Sequence, residues 1–107
     1  MIYELRIYET VPGRLPALHR RFRTQTLRIF ERLGIKSVAY WEDYIGVSNR
    51  LTYILVWHDL AQRQRLWDTF QADPEWHAAR AQSEEDGPIV ARVIATIMKP
   101  TDYSPLQ

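Results

Sequence analysis

Ile35-Lys36-Ser37-Val38-Ala39-Tyr40-Trp41-Glu42-Asp43-Tyr44-Ile45, then Gly46-Val47-Ser48-Asn49, then Arg50-Leu51-Thr52-Tyr53-Ile54-Leu55-Val56-Trp57: this run decides the fold. Both halves are rich in β-branched and aromatic residues, and turn-forming residues separate them. So short a connection makes the halves an antiparallel hairpin. The second half is almost uniformly apolar, which implies that both of its faces are covered.

Outward from the hairpin lie two helices. Before it, residues 14–33 carry Leu15, Leu18, Phe22, Ile29 and Leu33 at helical spacing, with Pro16 in the first turn and Gly34 just past the end. The arginines at 20, 21, 23, 28 and 32 are expected mostly on the opposite, solvated side. After it, Asp59 is an N-cap with Gln62 as its capping-box partner, opening a helix that carries Leu60, Leu66, Trp67 and Phe70. Asp73-Pro74 restarts that helix, Asp capping and Pro taking the first helical position, and the second piece runs to about Glu84 before Gly87-Pro88. Outermost are two more strands. Ile2 to Glu9 alternates with a period of two, up to the break at Pro12-Gly13, and Ile89 to Met98 precedes a tail with Pro100 and Pro105. The order β-α-β-β-α-β predicts an α+β, ferredoxin-like fold: an antiparallel four-stranded sheet with both helices on one face. No linker or repeat divides residues 1–107, so a single domain is expected.

Helices on one face leave the other bare, and every choice of alternation leaves that face apolar. A homodimer packed sheet to sheet is the simplest cover. Tyr3, Leu5 and Ile7 are assigned to the helix side, as the drier core, and Glu4, Arg6 and Tyr8 to the dimer interior. A buried Arg6 there must be paired, with Glu4, Glu42 or a partner's carboxylate.

Composition narrows the function. The 107 residues are 46% hydrophobic and 25% charged with a net charge of +1, ordinary globular values that argue against a nucleic-acid binder. There is no cysteine, which excludes disulfides, thiol catalysis and cysteinyl metal sites. No apolar run approaches a membrane span, and Met1 leads straight into a strand rather than a signal peptide, so a cytoplasmic protein is expected.

The chain resembles the NIPSNAP family of dimeric α/β-barrel proteins along nearly its whole length. The carriers are Tyr3-Glu4-Leu5-Arg6-Ile7-Tyr8 and Pro12-Gly13, then Tyr40-Trp41 ahead of Gly46, and Asn49. Leu60, Arg63 and Asp73-Pro74-Glu75-Trp76 continue the match, and Met98-Lys99-Pro100-Thr101 with Tyr103-Ser104-Pro105 closes it. The resemblance implies the β-α-β-β-α-β fold and the dimer, and little chemistry. Distant relatives of the fold include cofactor-free monooxygenases, haem enzymes and small isomerisation enzymes, but fold does not fix function. The family's third strand often carries His and Trp where this chain has Tyr53 and Leu55, so a role tied to that His does not transfer.

Two polar residues interrupt the apolar stripes. His19 lies between Leu15, Phe22 and Phe30, with Thr26 two turns on, and suits a general base facing a helix–sheet cleft. It equally suits a stripe-edge histidine bonded to a carbonyl or water. Arg63, amid Leu60, Leu66, Trp67 and Phe70, suits a carboxylate clamp, or else snorkels or stacks on Trp67. Aromatics including Tyr53 and Trp67 suit a flat ligand, or simply the core. His58 and His77 complete the histidines, but no pair stands at i, i+4 and there is no HxH or HExxH, so no metal is expected. There is no GxGxxG, P-loop or GxSxG, and a chain this size leaves little room for haem, so no cofactor is expected. The expected ligand is a small apolar or aromatic anion in a cleft between helices and sheet. His19 is the catalytic candidate, and Arg63, Thr26, Trp67 and Tyr53 the binding ones. Whether the protein is an enzyme, cofactor-free and monooxygenase-like or isomerase-like, stays open. The alternative is a non-enzymatic interaction or scaffold module.

Overall fold

The computed structural model describes residues 1–107. Strand β1 is Ile2–Thr10, and a helical rod follows as α1 (Leu15–Arg21), one wide π turn (Phe22–Thr26) and α2 (Leu27–Leu33). Then come β2 (Lys36–Glu42), β3 (Arg50–Trp57), α3 (Leu60–Ala72), α4 (Pro74–Ser83) and β4 (Val90–Met98). The strand order is β2-β3-β1-β4, all neighbours antiparallel, which is the predicted ferredoxin-like arrangement. No helix is long and apolar enough to cross a membrane.

Caps hold the helices where the sequence places them. Asp59 accepts a hydrogen bond from the Gln62 backbone N–H, and Asp73 accepts one from that of Trp76. Asp73 is extended (φ −68°, ψ 124°), so the chain leaves helical geometry there and Pro74 opens α4. Gly34 takes the left-handed conformation that ends the rod (φ 80°).

The rod itself departs from a plain helix. The Leu27 N–H reaches back five residues to the Phe22 carbonyl, the mark of a π turn. Thr24 and Thr26 lean into this region, their hydroxyls donating to the carbonyls of Arg20 (2.7 Å) and Arg21 (3.4 Å). The buried face is broader than the leucine stripe, because the rod packs on α4 as well as on the sheet. Arg21, one turn from Leu18, is therefore buried rather than solvated, and its Nη1 reaches Ser83 and Glu84.

The sheet faces are the reverse of those expected for β1. Glu4, Arg6 and Tyr8 look toward the helices, beside Trp57, Leu55, Tyr53 and Leu51 of β3. Leu5 and Ile7 lie on the open face, opposite Ile54 and Thr52. Tyr3 shares that face but is covered by the C-terminal tail, its hydroxyl donating to the Gln107 carbonyl at 2.7 Å. The reason is neutralisation. Glu4 is wholly buried, yet it accepts from Arg6 Nη1 (2.7 Å), Arg63 Nε (2.9 Å) and Nη2 (3.0 Å), and Trp57 Nε1 (3.1 Å). A carboxylate so fully bonded can sit inside a core, and the aliphatic residues then face outward.

Candidate functional site

Between the first half of the rod and the β2 edge lies a groove of about 380 Å³. The rod contributes His19, Phe22, Arg23 and Leu27; the hairpin contributes Tyr40, Trp41, Glu42 and Leu51. Tyr40 and Glu42 share the helix-facing side of β2, paired with Tyr53 and Leu51. That places the Glu42 carboxylate against His19, with 3.2 Å between Oε2 and Nε2. With Nε2–H donating to Glu42, the imidazole keeps a lone pair on Nδ1, the arrangement of a base oriented by a carboxylate.

Rings line and back this groove. Phe22 meets Tyr40 at 5.7 Å and Tyr53 at 5.4 Å edge-on, and Tyr40 stacks on Tyr53 at 5.1 Å. Such pairs add to the stabilisation from area alone and fix the ring positions. The Tyr40 hydroxyl is buried, and burial pushes its pKa up, so it remains a neutral phenol.

The other expected site residues lie elsewhere. Arg63 grips Glu4 through its Nε–Nη2 edge and shares no cavity with His19. Trp67 is buried with Arg6 over its ring at 4.3 Å. Tyr53 is fully buried in a chain of bonds, accepting from Arg6 Nε at 3.0 Å and meeting the Tyr8 hydroxyl at 2.8 Å. Thr26 is the buried last residue of the π turn. The shared cleft expected for His19 and Arg63 is thus not formed. Glu42, which meets His19, and Arg23, which lines the same groove, are not among the site residues read from the sequence. The period-two alternation of Tyr40 and Glu42 was the one signal that could have placed Glu42 there.

The NIPSNAP family model matches residues 3–105. The chain belongs to the NIPSNAP family. Similar solved structures span it end to end. A NIPSNAP family protein of unknown function from Agrobacterium tumefaciens is 29% identical, over 100% of this chain and 94% of that one, with a TM-score of 0.86. An uncharacterized NIPSNAP-like domain protein from Burkholderia xenovorans is 25% identical, over 97% and 88%, with a TM-score of 0.86. An antibiotic biosynthesis monooxygenase shares the fold alone, at 12% identity over 94% and 99% and a TM-score of 0.65. No curated protein matches this NIPSNAP chain.

Proposed function

We propose that the groove beside His19 binds a small molecule with a flat apolar body and one negative group, and that His19 acts there as a general base without a cofactor. One observation carries this: an imidazole paired with a carboxylate at 3.2 Å on the wall of an open aromatic groove. The volume of about 380 Å³ falls within the usual range for small-molecule sites. Phe22, Tyr40 and Trp41 take the apolar body, and the exposed Arg23 supplies positive charge in place of Arg63. Proton removal from an acidic C–H leaves a carbanion that Arg23 stabilises. Isomerisation, which returns the proton to another carbon, and oxygenation, in which the carbanion meets dioxygen, share this first step. The test titrates phenylpyruvate, whose benzylic C–H is acidified by the adjacent ketone, into labelled protein and follows deuterium exchange at that carbon. Shifts should cluster at His19, Phe22, Tyr40 and Trp41. His19→Gln should retain binding and slow exchange by about 10²–10⁴. Undiminished exchange in that variant rejects His19 as the base.

The open sheet face supports a homodimer. Leu5, Ile7, Ile54, Val56, Ile94 and Met98 are only half-buried there. A contiguous apolar face of this kind is what a second copy covers, and it would have to exceed about 1,000 Å² of buried area to hold. Light scattering should give twice the mass of one chain at micromolar concentration. Ile54→Lys, at the centre of the face, should give the single mass with the fold intact. A monomeric wild type refutes the dimer.

A further inference from the structure

The rod carries a second polar residue that the groove does not use. Arg21 stands two positions after His19, about 200° further round the helix, so it opens to a different side of the rod. It borders a separate cleft of about 260 Å³ between α3, α4 and the β1–β4 half of the sheet. Arg6 and Tyr8 of β1 line this cleft with Arg80 of α4, and Phe70 and Trp76 give it apolar walls.

Arg21 is only 5% exposed, yet its own contacts are poor. Nη1 reaches Ser83 Oγ at 3.3 Å and Glu84 Oε1 at 3.4 Å, both long for a charge-assisted bond. Glu84 is shared, since Arg80 Nε also reaches Oε1 at 3.4 Å. The buried Nε has no acceptor, and no protein atom accepts from Nη2. Trp76 offers its ring face, 5.1 Å from the guanidinium carbon. The contrast within the molecule is Arg63, whose corresponding Nε–Nη2 edge holds both oxygens of Glu4 at 2.9 and 3.0 Å. The corresponding donors of Arg21, beside a cleft where arginines outnumber the single Glu84, have no carboxylate of the chain to hold, and with Nε enclosed it is the guanidinium's outer end that borders the cleft. A buried guanidinium paired this weakly is destabilising, and an incoming anion removes that cost. Burial also disfavours the charged form of Arg21, in keeping with so thin a set of partners.

We propose that this cleft is a second ligand site, for a small organic carboxylate that places its charge on Arg21 and its apolar body against Trp76 and Phe70. Arg80 adds positive charge. The volume lies just under the about 300 Å³ where drug-sized pockets begin, which limits the ligand to fragment size. The site is independent of the His19 groove and stands whether or not that groove binds anything.

Phenylacetate is the probe, with phenylacetamide as its uncharged analogue and inorganic phosphate as an anion without an apolar body. Binding is followed at the Trp76 indole N–H by heteronuclear NMR, while the Trp41 indole N–H reports the other groove. Phenylacetate should shift the Trp76 signal saturably, and the two controls should bind far more weakly. Arg21→Met replaces a poorly paired buried charge by an apolar side chain, so it should fold; affinity at Trp76 should fall about tenfold to hundredfold. Arg21→Lys keeps the charge without the fork and should fall between the two, and it tests the proposal should the Met variant fail to fold. An unmoved Trp76 signal, an unchanged affinity in either variant, or an equal response to phenylacetamide or phosphate overturns the proposal.

Discussion

Glu4→Ala is expected to cost about 3–5 kcal/mol, the largest stability loss of any polar substitution in the chain. Glu4 is fully buried and is the only carboxylate bonded to both Arg6 and Arg63. Removing it leaves the Arg6 guanidinium inside the core with only phenol oxygens and the Trp67 ring as neighbours, and leaves Trp57 Nε1 without its acceptor. Arg63, 21% exposed, turns to solvent at lower cost. Chemical denaturation should show a lower midpoint at unchanged slope. The same carboxylate sets a pH dependence. Burial pushes the Glu4 pKa up, but hydrogen bonds from Arg63 and Arg6 outweigh it and hold the group below its ordinary 4.5. A group whose pKa is lowered on folding stabilises the fold above its unfolded value and ceases to do so as pH falls through its folded value. The wild type should therefore lose stability from about pH 4.5 downward, and Glu4→Gln should show a shallower dependence over that window. A Glu4→Gln variant as steep as the wild type would assign the acid sensitivity to surface pairs such as Arg50–Asp43.

This network also explains which features of the chain could be read from its sequence. The element order was legible because it rests on local signals: the hairpin at Gly46–Asn49, the caps Asp59 and Asp73, Pro74 and Gly34. Each acts through its own backbone neighbours. The facing of β1 was not legible. In Tyr3-Glu4-Leu5-Arg6-Ile7-Tyr8 the alternation is plain, but the side that goes inward depends on Arg63, fifty-nine positions from Glu4. Polarity alone points the wrong way there, since a compensated Glu4 is a better core residue than its hydropathy suggests. The partner of Arg63 was hidden for the same reason: an odd cation on an apolar stripe marks either a ligand or a buried carboxylate, and the sequence reading of a ligand clamp gives way here to Glu4. His19 was singled out by the identical logic, and its partner Glu42 lies twenty-three positions away on an edge strand. Arg21 escaped because five arginines at 20, 21, 23, 28 and 32 read as one solvated side. The rod packs on α4 as well as on the sheet, and this second contact buries one of them.

Phe22→Ala is expected to cost about 3–5 kcal/mol and to open the His19 groove into the core. Phe22 is 7% exposed and touches four rings: Tyr8 at 6.0 Å, Phe30 at 6.4 Å, Tyr40 at 5.7 Å and Tyr53 at 5.4 Å. It opens the π turn, whose backbone bond runs from the Leu27 N–H to its own carbonyl, so the backbone is poorly placed to collapse into the space. Truncation therefore leaves a cavity rather than a repacked core, and the cost sits at the upper end for aromatic deletions. The functional consequence follows from position. Phe22 is both core residue and groove wall, so its loss removes the surface proposed for a flat ligand and frees the Tyr40 ring that stacks on Tyr53. Phe22→Leu restores most of the volume and should recover most of the stability, but not the ligand affinity, because a branched aliphatic side chain offers no flat face. Denaturation midpoints for the two variants, set beside their titrations with phenylpyruvate, separate the two roles. Equal affinity in Phe22→Leu and wild type would mean that the ligand lies on Trp41 and Tyr40 alone. A loss below about 1 kcal/mol in Phe22→Ala would mean that the four rings close over the gap, and that the π turn yields more readily than its hydrogen bonding implies.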